Sequence, residues 1–119
     1  MTGETDLARL LAGLDPELDP LEYCFETVAE TPPLGDAFAL IREVEGITIV
    51  RPGRGWARIT LRIHSSLEAV GLTARIASAL SVRGIAANVI AGARHDHVFV
   101  PWKRRAEAME ALRQLAGSV

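Results

Sequence analysis

A chain of 119 residues, 49% hydrophobic and 24% charged, suits one compact domain burying about two thirds of its unfolded surface, with no room for a second full domain. A formal charge of −2 with scattered basic residues offers neither a nucleic-acid footprint nor a polybasic membrane patch. The one cysteine, Cys24, excludes an internal disulfide; no apolar run approaches the ~20 residues that span a bilayer, and the acidic N-terminus lacks both regions of a signal peptide, so the expected location is cytoplasmic.

Leu7, Leu10, Leu11 and Leu14 recur at helical spacing between Asp6 and Leu14, and Asp15-Pro16 then Asp19-Pro20 end the pattern because proline cannot continue a helix. Glu22 to Ala29 alternates and is rich in aromatic and β-branched residues, which predicts a strand. Thr31 to Gly35, with two prolines, is a loop. Ala37 to Glu43 and Ile47 to Arg51 read as a hairpin about Val44-Glu45-Gly46, although AFALIREVE also fits one helical segment. Pro52-Gly53-Arg54-Gly55 separates residues 1–55 from 56–119; it is too short for a flexible linker and reads as a turn within one body.

Ala57 to His64 is the clearest strand. Ile59, Leu61 and Ile63 share one face, and Arg58, Thr60, Arg62 and His64 share the other, which could hold an anion but is preferably read as solvated or in contact with a second subunit. Leu72, Ile76, Ala79 and Leu80 form a helical stripe that stops near Gly84. Ile85 to Ala91 and Val98 to Val100 make a second hairpin around Gly92 to Asp96, closed by Pro101. Lys103 to Ala116 is a last helix, predicted to bury Ala106, Met109, Leu112 and Leu115. The second half is therefore β-α-β-β-α, an α+β arrangement with two helices on one face of an antiparallel sheet, ferredoxin-like except for its final strand. The N-terminal half can supply that strand. It too ends in a hairpin followed by proline: ITIVRP there, HVFVP in the second half, a short internal echo.

The stretch HSSLEAVGLTARIASAL carries the functional signal, since a strand passes through a Ser-rich turn and a glycine into a helix whose first amides are free to meet an anion. Ser65-Ser66-Leu67-Glu68 also fits a plain capping box. His95 and His97 could meet a metal with His64, but two ligands do not make a site and nothing in the sequence makes three converge; the preferred reading is a polar hairpin, with no metal and no cofactor. Trp56 and Trp102 are expected to fill the ends of the core, Cys24 has no flanking base to activate it, and Lys103-Arg104-Arg105 invites a carboxylate at the start of the last helix. There is no phosphate-binding glycine loop, nucleophile elbow, H-E-x-x-H or C-x-x-C motif, so an enzyme is not expected.

GWARITLRIHSSLEAVGLTARIASALSVRGIAANVIAGARHDHVFVPWKRRAEAMEALRQL resembles an ACT-like domain of the branch related to CASTOR-type arginine sensors and small bacterial proteins of unknown function. LLAGLDPELDPLEYCFETVA followed by IREVEGITIV resembles the partial ACT-like segment that precedes it in those bacterial proteins. The resemblance implies a ferredoxin-like regulatory module that binds an amino acid or similar small ligand where domains or subunits meet, as a homodimer or higher homo-oligomer. The family glycine matches Gly71, which implies one wall of the site at Ser65, Ser66, Gly71, Leu72 and Thr73, and the other at Asn88, Val89, Ile90 and Ala91. Val70 stands where the family usually has proline. The alternative is a protein-interaction or dimerisation module with no metabolite ligand.

Overall fold

The computed structural model describes residues 3–118. Helix α1 (Leu7–Ala12) starts at Asp6, whose carboxylate accepts the Arg9 amide at 3.0 Å, and it buries Leu10 and Leu11. Strand β1 (Pro16–Val28) begins six residues before the expected Glu22 and runs through both prolines. Proline has no N–H for the ladder, so it survives in a strand only where no ladder bond is needed. Pro16 is the first residue, and Pro20 lies in the register shift between Leu18 and Glu22, where Asp19 Oδ1 accepts the Leu21 amide at 2.8 Å.

The expected hairpin follows as β2 (Ala39–Glu43) and β3 (Gly46–Pro52), so AFALIREVE is not a helix. Strand β4 (Trp56–Leu61) ends before Ile63 and His64, which lie in the loop to α2 (Leu72–Ser81). Strand β5 (Asn88–Ala91) starts later than Ile85, and β6 (Asp96–Pro101) leads through a 3-10 turn, Trp102–Arg104, into α3 (Arg105–Gly117). Helix α3 buries Ala108, Met109, Ala111, Leu112 and Leu115, while Ala106 is exposed, because the buried stripe is set by the sheet below and lies beside Ala106.

All six strands form one antiparallel sheet in the order β2-β3-β1-β4-β6-β5. Within each half the order from the edge inward is second, third, first strand, and the two first strands, β1 and β4, pair at the centre. β1 thus occupies the place of the missing fourth strand of the β-α-β-β-α unit. Ala57, Ile59 and Leu61 of β4 and Val98 and Val100 of β6 pack under Leu10 and Leu11 of α1, Leu72, Ile76 and Leu80 of α2 and Met109 and Leu112 of α3. Each buried Val, Leu, Ile or Met among them contributes about 1.5–3 kcal/mol. No described helix is long and apolar enough to cross a membrane.

The other face of β4 is covered, not solvated as its polar alternation suggests. Tyr23, Val50 and Phe99 form a second buried cluster with Phe38, Trp56 and Ile90. Phe38, just before β2, meets the His97 ring of β6 at 4.9 Å between centroids although β3, β1 and β4 intervene in the sheet order. Only a strongly curled sheet allows that. Arg58 lies inside the curl with its guanidinium over the Phe38 and Tyr23 rings at 4.4 and 5.4 Å, and pairs with Asp19 at 2.6 Å. The β1 register shift that accommodates Pro20 therefore also delivers the carboxylate that neutralises this arginine.

Candidate functional site

The loop from β4 to α2 gathers four of the expected residues. Ser65, Ser66, Leu72 and Thr73 line a cleft of about 90 Å³ with Leu67, Ala69, Ala91 and Asp96. It opens at the N-terminal end of α2, beside the end of β5 and the start of β6. Gly71 is the N-cap residue of α2, with φ +95° and no side chain bonding the first-turn amides. The helix start is therefore uncapped, with its donors and the positive end of its dipole available to an anion. Ser65-Ser66-Leu67-Glu68 is not the capping box of α2: the Ser66 hydroxyl accepts the Glu68 amide at 3.0 Å in a local turn, and the helix begins only at Leu72.

Asn88, Val89 and Ile90 do not line the cleft. Asn88 pairs with Phe99 and Ile90 with His97, which turns both toward the aromatic side of the sheet, and Val89 packs into the main core. Only Ala91 of the expected strand wall reaches the cleft. Gly71 itself is not part of the lining, and a Cβ there would lie 3.3 Å from Leu7 Cδ2, so its close approach is to α1.

Asp96 is the residue the sequence reading left outside the site. It is directly opposite Ala91 across the β5–β6 ladder and on the same face as Val98. Burial raises the pKa of its carboxyl, while a hydrogen bond from Ser65 and the nearby His95 pull the other way. Ser65 is 6% exposed, the one buried polar side chain among the described residues. No ion pair among the described residues includes Asp96. The signal for it is positional: a carboxylate at the first residue of the strand that flanks the glycine loop.

The three histidines do not converge. His95 Nδ1 lies 3.3 Å from the Ile63 carbonyl, His97 Nδ1 lies 3.0 Å from Thr60 Oγ1 under the Phe38 ring, and the His64 carbonyl accepts the Glu4 amide. Among the described residues no group of three or more His, Cys, Asp or Glu side chains is placed to hold a metal ion. The Cys24 thiol has its pKa raised by its hydrogen bond to Glu26 and by burial, which keeps it a thiol. At the start of α3, Arg104 finds its carboxylate in Glu107 at 2.8 Å and donates to the Arg83 carbonyl at 2.9 Å just beyond α2, while Arg105 lies over Trp102 at 3.7 Å.

Two family models described as ACT domain match the chain, one over residues 53–114 and the other over residues 2–54. A crystal structure of a Vibrio cholerae protein of unknown function, described as a possible transport protein, is 40% identical, with 88% of this chain and 92% of that one covered and a TM-score of 0.75. A protein from Agrobacterium tumefaciens shares the fold at 18% identity, with 79% and 81% covered and a TM-score of 0.61. No curated protein matches the chain.

Proposed function

Because this chain belongs to the ACT-domain family, whose members are commonly small-ligand regulatory modules, we propose that it binds a small α-amino acid in the cleft between the β4–α2 loop and Asp96 and acts as a cytoplasmic regulatory module, not an enzyme. One observation carries this reading: the cleft places an uncapped helix start and a carboxylate without an ion-pair partner around the same small space. The two complement a zwitterion. The ligand carboxylate takes the amides at the start of α2, where the dipole alone contributes about 0.3–1 kcal/mol. Its ammonium takes Asp96, offsetting the burial of that carboxyl.

Cleft size limits the ligand. At about 90 Å³ it is well below the ~300–1,000 Å³ of ordinary ligand pockets, so it admits the head group and a short side chain, and a longer ligand extends past Leu67 and Val70 into a second subunit. Leu67, in the cleft lining, is 71% exposed, and Val70, in the same loop, is 83% exposed. They also favour the second reading, in which the same surface joins copies of the chain and no metabolite binds.

Thermal-shift measurements against the twenty amino acids, with calorimetry on each hit, separate the two. A ligand at a hundred times its Kd stabilises by about 2.7 kcal/mol. The expected result is a shift with small amino acids that is lost in Asp96→Asn, which removes the charge and keeps the shape. No shift with any amino acid, alongside an apparent mass that rises with concentration, overturns ligand binding in favour of the interaction module.

A further inference from the structure

The ligand loop does not stand on its own. Residues before α1 run beside it as a short parallel bridge, Glu4 to Ser65, with the Glu4 amide donating to the His64 carbonyl at 2.9 Å and the Ser66 amide donating to the Glu4 carbonyl at 3.0 Å. Those bonds hold the backbone on both sides of Ser65, which lines the cleft together with Asp96. Gly3 is packed so closely that a Cβ would fall 2.5 Å from the Ser65 carbonyl carbon and 2.6 Å from the Ser66 nitrogen. Glu4 also folds its side chain back, Oε2 accepting the Thr5 and Asp6 amides at 3.0 and 3.1 Å, which leads the chain directly into α1. At the far end of the loop, Leu7 supports Gly71. The same short segment therefore backs both ends of one wall of the cleft.

We propose that Gly3 and Glu4 are positioning residues of the binding loop, a strap that fixes Ser65 and Ser66 against Asp96 and ties occupancy of the cleft to the order of the chain entering α1. The purpose of the strap rests on the ligand reading above; its existence as a mechanical coupling does not. A ligand that draws Ser65 and Ser66 inward favours the zipped state, so binding and strap order reinforce one another. The strap offers no side chain to the ligand and works only through the loop.

Hydrogen exchange of the full chain tests this without a ligand. In the unmodified protein the Ser66 amide is expected to exchange slowly, as a bonded amide does; exchange at the rate of an unstructured peptide overturns the proposal. Glu4→Pro removes the donor to His64, and Gly3→Val forces a branched side chain into the Ser65 backbone. Both are expected to speed Ser66 exchange by about tenfold or more while the amides of β4 and β6 keep their protection, and Glu4→Gln, which retains the backbone bonds, is expected to match the unmodified protein. The Asp96 carboxyl, followed by NMR, is expected to change its titration in the first two variants, since both its burial and its proximity to Ser65 change as the loop loosens. Unchanged Ser66 exchange and Asp96 titration in both variants, or loss of protection throughout β4 and β6, overturns the positioning role. Glycine and alanine titrations are read separately: failure of both to bind the unmodified protein counts against the ligand reading alone, and the exchange data still decide the strap.

Discussion

Gly71 shows how one residue can have more than one reason to be glycine. Glycine at a helix entrance was legible because a glycine inside a helical pattern costs ~1 kcal/mol and calls for an explanation. The explanation expected was room for a ligand. The structure supplies another, a φ of +95° and the proximity of Leu7, both of which precede any ligand. Asp96 leaves no such signal: its place in the cleft comes with partial burial beside Ser65, and burial of a polar residue leaves no periodic trace. His97 lies on the opposite face with its pKa lowered to about 4, by burial first, then by Arg58 and His95, with Thr60 and Phe38 completing its surroundings. A histidine whose folded pKa is below its ordinary 6.5 takes up a proton more readily when unfolded. Stability is accordingly full above pH 6.5 and falls as pH drops from there toward 4. Urea midpoints measured at pH 7 and pH 4.5 are expected to diverge less in His97→Gln than in the unmodified protein; equal divergence would remove His97 as the cause.

Elements were legible where a period had one buried face and illegible where the chain broke its own rule. Helix α2 follows its stripe, and Leu72, Ile76 and Leu80 are buried as the spacing requires. Both hairpins also follow from their glycine turns. Strand β1 reaches six residues further back than its alternating stretch from Glu22 predicts, because a register shift absorbs Pro20, and such a shift cannot be seen without the partner strand. The polar face of β4 was misjudged because alternation reports that two faces differ and says nothing of what covers the second. In that case the cover, Phe38, is three strands away. Ile76, fully buried between α2 and the sheet, tests the main core: Ile76→Ala is expected to cost about 2–5 kcal/mol in equilibrium unfolding. A loss below 1 kcal/mol would mean that α2 is loosely docked, and the cleft at its N-terminus with it.

For the whole molecule, the boundary near Pro52-Gly53-Arg54-Gly55 is readable as a turn, and the sequence shows that the first half can complete the sheet of the second, but not that β1 is the strand that does it. The sheet is continuous there, with β1 pairing to β3 on one side and β4 on the other. Residues 56–119 expressed alone lose β1 and α1, leaving one edge of β4 open and the Leu10 and Leu11 positions empty. This fragment is expected to aggregate, and co-expression with residues 1–55 is expected to restore a soluble complex, as read by size-exclusion chromatography. A soluble, well-folded 56–119 fragment would show that the central pairing is dispensable.

The same central pairing sets the order of events during synthesis. β1 leaves the ribosome before β4 and can close only its β3 side until residues 56–61 follow; β4 in turn waits for residues 96–101 to cover its other edge. A nascent chain halted within the first half is thus a three-stranded sheet in the order β2-β3-β1 with one side of its central-sheet strand bare, an unpaired edge exposed until β4 arrives.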